Sequence, residues 1–120
     1  MTPIARTAIA YITGVLISGR HPSAVYDFSR GTYVHFSGTA TERHVNVYDH
    51  EQGCYVSGSG TGGRISLYHY GESHYIQLNI NGKNFSGYDY GTGSNYSGNV
   101  SGGNISIFDY GEGGYYNYSI

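Results

Sequence analysis

A chain of 120 residues with a formal net charge of −2 is one small domain, 1–120, and it lacks the electrostatic footprint of a binder of nucleic acid or anionic membrane. One cysteine, Cys54, excludes an internal disulfide and a cysteine-based zinc cluster. The 20 Gly and 15 Tyr would read as low complexity, except that they recur with a strict period, Gly serving turns and Tyr serving pleated surfaces.

Residues 2–19 are predicted to form a helix. Thr2 offers a hydroxyl at the N-cap, Pro3 suits the first helical position, and Gly19 falls where a C-terminal glycine is expected. Between them Ala5, Ile9, Ile12 and Leu16 fall at helical spacing, with Arg6, Thr13 and Arg20 leaving only a narrow polar stripe. Gly14 costs about 1 kcal/mol against Ala inside a helix, so a Thr13-Gly14 hairpin between two short strands is the alternative. A helix this apolar must be covered, which places it on the β core or as a cap at one end. The run Thr7–Gly19 also resembles a signal-peptide core. It is shorter than the roughly 20 residues that span a bilayer, follows a single Arg6 and precedes no clear small-residue cleavage site. It is read as part of the fold of a cytoplasmic protein, with a secreted or cell-surface location as the alternative.

Arg20-His21-Pro22-Ser23 is a loop, after which a unit of about 20 residues recurs, near 23–44, 45–64, 65–84, 85–104 and 105–120. Each unit alternates for six residues, turns over four and alternates again. Folded about its turn, the last unit pairs Ile105 with Ile120, Ile107 with Tyr118 and Asp109 with Tyr116. The middle unit likewise pairs Ile65 with Ile80, Leu67 with Leu78 and His69 with Ile76. One face is aliphatic. The other is Ser, Asn, Gln and Tyr, so the sheet has an inside and an outside.

Two architectures fit: an antiparallel meander closing into a small barrel, or a β-solenoid with two strands per coil. The meander is preferred. Asn81-Gly82-Lys83 and the Gly62-Gly63 and Gly102-Gly103 pairs are hairpin chemistry. A solenoid would also stack the like-charged Asp27, Asp49, Asp89 and Asp109 about 4.8 Å apart. An end-capping helix favours the solenoid.

Tyr88-Asp89-Tyr90-Gly91 resembles the YD repeats of large secreted shells, although the Arg-Leu that usually follows the glycine is missing. Tyr96-Ser97-Gly98 with the later Gly102 resembles the MORN hairpin repeat, without its Gly-x-Gly and charged strand residues. Neither resemblance carries a function over.

No nucleophile elbow, P-loop, dinucleotide fingerprint or zinc-protease helix is present, and nothing implies a cofactor. His50, His69 and His74, with Asp49 and Glu72, gather near one sheet end as a candidate metal cluster, but His50 and His69 fall on opposite faces. The Asp column is read as capping turn N–H groups. What remains is the outer aromatic face. Tyr26, Tyr48, Tyr68, Tyr88 and Phe108 form one column, flanked by Phe28, Tyr70, Tyr90 and Tyr110. With neighbouring Ser and Asn this is the composition of adaptable recognition surfaces. The expected function is a non-enzymatic, self-associating interaction or structural module. The alternatives are a glycan or small-ligand binder using the same rings, and an enzyme with an Asp/His site at one sheet end.

Overall fold

The computed structural model describes residues 1–120. It shows a helix, α1 (Pro3–Ser18), followed by ten strands: β1 (Ala24–Asp27), β2 (Thr32–Ala40), β3 (His44–Asp49), β4 (Cys54–Thr61), β5 (Arg64–His69), β6 (His74–Asn81), β7 (Asn84–Asp89), β8 (Ser94–Ser101), β9 (Asn104–Asp109) and β10 (Gly114–Ser119). Each strand pairs antiparallel with its sequence neighbours, and β1 pairs with β10 to close a barrel. Closure by antiparallel pairing rules out the solenoid alternative, whose coils stack in parallel. The closing seam is the shortest pairing, made by Tyr26↔Ser119 and Asp27↔Tyr118 and extended by the Phe28 N–H donating to the Asn117 carbonyl at 3.2 Å.

The helix is real, and it lies neither on the core nor across its end. It runs inside the barrel. Residues Ala5 to Val15 are all buried, around the full circumference of the helix. They share one apolar cluster with the inward faces of the strands, including Val47, Leu67, Ile76 and Ile107. The reason is one of size. Eight strands enclose a lumen that side chains alone can fill, and ten enclose more. Small residues on the helix bring the wall close. A Cβ on Gly14 would stand 3.1 Å from Ile120 Cδ1 and 3.2 Å from Ile105 Cδ1, which explains a glycine inside a helix. The two buried threonines are satisfied within the helix: Thr7 and Thr13 donate to the Pro3 and Ile9 carbonyls at 2.8 and 2.7 Å. Thr2 caps the first turn through Ala5 N–H, and Gly19 ends the helix at φ 75°.

The strand register differs from the sequence expectation by two residues. Ile105 pairs with Tyr118 and Ile107 with Tyr116, and in the middle hairpin Ile65 pairs with Leu78, Leu67 with Ile76 and His69 with His74. The turn ends one glycine early: Gly113, at φ 71°, donates its N–H to the Asp109 carbonyl at 2.7 Å, and Gly114 already belongs to β10. A slip of two leaves every side chain on its expected face, since the strand period is two. The turns between hairpins also differ from one another. Gly62 and Gly63 both have positive φ, as a type I′ turn requires, whereas at 82–83 and 102–103 only the first centre does, the pattern of type II′.

Glycines on the inner face accommodate bulk. A Cβ on Gly87 would meet the Gln77 carbonyl and the Tyr96 ring, and Tyr96, fully enclosed, donates its hydroxyl to that same carbonyl at 2.8 Å. No helix is long and apolar enough to cross a membrane.

Candidate recognition surface

The turns joining β1–β2, β3–β4, β5–β6, β7–β8 and β9–β10 all lie at one end of the barrel. Just inside it, Asp27, Asp49, His69, Asp89 and Asp109 point into the lumen and are buried. The aspartates serve the turns. Asp49 accepts from the N–H of Glu51 and Gln52 at 2.9 and 3.0 Å, Asp109 from Gly111 and Glu112, Asp27 from Ser29 and Arg30, and Asp89 from Gly91. In the middle hairpin His69 takes over, its Nδ1 accepting from Glu72 N–H at 3.1 Å while its Nε2 is buried without a partner.

Their electrostatics differ. Burial alone would raise the Asp109 carboxyl. The Met1 ammonium at 3.0 Å and the Arg6 guanidinium at 2.9 Å instead hold it below the usual range. Asp27 is likewise lowered, by Ser29 and Arg30 against its burial. Asp49 has no such partner, and burial pushes it up. Burial depresses His69 despite nearby carboxylates. His50 is exposed at a turn, where its Nε2 lies 2.8 Å from Ser37 Oγ, so it is parted from buried His69, and no set of three His, Cys, Asp or Glu side chains is placed to hold a metal ion.

The outer wall below the same turns carries the aromatic residues. Tyr26, Tyr48, Tyr68, Tyr88 and Phe108 are half-buried, and each is the hub of an edge-to-face cluster. Tyr68 meets Tyr70 and Tyr75 at 4.8 Å each; Phe108 meets Tyr110 and Tyr115 at 4.7 and 4.8 Å. Tyr26 meets Phe28 and Tyr33, Tyr48 meets His50 and Tyr55, and Tyr88 meets Tyr90. The Tyr48 and Tyr88 hydroxyls lie over the turn glycines Gly53 and Gly93. The hubs therefore brace the hairpins, and the flanking rings face solvent: Tyr70, Tyr90 and Tyr110 are 57 to 63 % exposed.

Four further exposed rings lie outside the candidate binding set: Tyr75 and Tyr115, which the alternation already places on the outer face, and Tyr33 and Tyr55, with Tyr115 the most exposed at 72 %. Each sits two residues after the positive-φ turn residue (Gly31, Gly53, Ser73 and Gly113), a spacing that marks all four. The two-residue slip is what brings them opposite the hubs.

Open grooves run between these rings. Tyr55 and Tyr70 wall one of about 600 Å³ with Asn46 and Ser57 on its floor. Tyr68, Tyr75 and Tyr90 wall another of about 460 Å³ over Ser66 and Gln77. Tyr88 and Tyr110 flank a third of about 460 Å³ beside Gln77, Asn79 and Asn95, and Tyr110 and Tyr115 a fourth of about 560 Å³ beside Asn84 and Asn99. No Asp, Glu, Lys or Arg lines any of the four.

No protein-family model, curated protein or solved structure matches the chain. The chemistry of this surface therefore rests on its own rings, hydroxyls and amides.

Proposed function

We propose that the protein is a non-enzymatic interaction module, built from tandem hairpins, that presents the Tyr/Ser/Asn outer face to a partner and associates with its own copies. One observation carries the reading: a belt of exposed tyrosines held in place edge-to-face, so that little side-chain freedom is lost when a partner covers them. The ionisable groups that would serve an enzyme face the closed lumen and already bind turn N–H groups, which supports a binding role over catalysis. The free, half-buried Cys54 fits a reducing compartment, and we place the protein in the cytoplasm.

The grooves favour a second reading, a neutral glycan as the ligand. Exposed rings stack on sugar faces, and the Asn, Gln and Ser side chains beside them offer donors and acceptors without charge.

The test replaces two exposed rings rather than the hubs that brace the turns. Tyr70→Ser with Tyr90→Ser should lower stability by only about 0.2–1 kcal/mol per ring, the range of cross-strand pair terms. The same variant should lose partner or glycan binding, measured by titration against a panel of neutral oligosaccharides. A double variant that keeps every measured ligand would leave the rings with bracing alone.

A further inference from the structure

The charged residues are segregated along the barrel axis. The chain has 6 Lys and Arg and 8 Asp and Glu, and all of them lie at one end or the other. The turn end that carries the aromatic belt holds Asp27, Asp49, Asp89, Asp109, Glu51, Glu72 and Glu112, against Arg6 and Arg30. The opposite end, where the hairpins are linked and the helix finishes, holds Arg20, Arg43, Arg64 and Lys83, against Glu42. The side chains thus sum to −5 at one end and +3 at the other, and the Met1 ammonium and Ile120 carboxylate bring these to −4 and +2, in agreement with the formal −2 of the whole. The wall between them is neutral.

The two ends also differ in what remains unpaired. Arg6 is spent on Asp109, and Arg30 on Asp27 and Glu51. All four cations of the opposite end are exposed and none takes part in a salt bridge. Glu112 is exposed at the acidic end with no cation, and Glu51 shares only Arg30.

We infer that copies of this chain stack end to end, the basic end of one on the acidic end of the next. This rests on the self-association part of the reading above, and it puts that association at the ends instead of the aromatic wall. The contact is heterologous, so each copy keeps one free end of each sign and assembly continues into an open filament or a ring. An end face about 30 Å across offers on the order of 700 Å² to each partner, slightly under the ~800 Å² of a standard interface. Such a contact is weak and depends on charge. It leaves the tyrosine belt displayed around the side of the stack.

Sedimentation velocity on the full chain tests this. Raising salt from about 0.01 M to about 1 M shortens the Debye length from ~30 Å to ~3 Å and should convert a concentration-dependent series of oligomers to monomer. Arg43→Glu with Arg64→Glu and Lys83→Glu makes both ends acidic, and Glu51→Lys with Glu112→Lys makes the exposed charge of the other end basic. Each variant alone should sediment as monomer, and an equimolar mixture should associate again, because acidic and basic ends now alternate between the two variants. Restored association also shows that neither variant is simply misfolded. A wild-type protein that is monomeric at low salt would overturn the inference. So would charge variants that keep the wild-type mass, or folded variants whose mixture stays monomeric. If Tyr70→Ser with Tyr90→Ser abolishes self-association while the charge variants retain it, the wall is the interface and the end-to-end contact is wrong.

Discussion

At His69 the lumen carries an imidazole where the four other hairpins carry a carboxylate, and the same turn has Ser73 at φ 60° where the others have glycine. To accept Glu72 N–H, Nδ1 must be unprotonated, so the folded protein holds this histidine neutral. Its folded pKa lies below the ordinary 6.5, so the unfolded chain binds more protons as pH falls. The stability His69 contributes is fully present above 6.5 and is lost as pH drops through that value toward its depressed one. His69→Asn keeps an acceptor near the turn and cannot titrate. Thermal melts should therefore show a fall in Tm on acidification below neutrality for the wild type and a flatter profile for the variant. Equal slopes would place the acid sensitivity elsewhere. A second loss follows below 3.8, as Asp27 and Asp109 are protonated, whereas Asp49, whose carboxyl is raised, adds stability above 3.8 as pH falls through its raised value.

The elements were largely legible in the chain, each for a local reason. Thr2-Pro3 and Gly19 mark the two ends of α1, and the alternation of Val45-Asn46-Val47-Tyr48 or Ile65-Ser66-Leu67-Tyr68 divides inside from outside. What local pattern does not encode is closure. Nothing in α1 itself distinguishes a helix lying on a sheet from one enclosed by it, because both require apolar surface nearly all round. Nor does Gly111-Glu112-Gly113-Gly114 say which glycine adopts positive φ, and that choice set the register and with it the partners of the aromatic hubs. The face of each ring was legible from the alternation, but which rings meet at a hub was not. Enclosure also sharpens the consequence of losing the helix. Deleting residues 1–19 removes the filling of the lumen and leaves Leu67, Ile76 and Ile107 facing a void, so the truncated chain should collapse or aggregate. A soluble truncated protein with intact near-ultraviolet tyrosine dichroism would contradict this.

For the molecule as a whole, the barrel has no free sheet edge, but its circle of hydrogen bonds is uneven. Two residue pairs close β1 on β10, while the neighbouring β9–β10 ladder runs over six. A ring under thermal agitation gives first at its weakest joint, and parting this one would open the wall beside the helix. The amides of α1 are the most deeply enclosed in the chain, yet they need not be the slowest to exchange with solvent deuterium. If the joint parts as a cooperative step, β1, β10 and α1 should share one opening free energy, lower than that of β5 and β6 on the far side. Exchange of α1 only together with β5 and β6 would mean the ring breaks nowhere before it breaks everywhere. The same joint bears on refolding: Tyr26 and Ser119 belong to the chain's most distant strands, so their pairing carries the largest loop-closure cost and should come late.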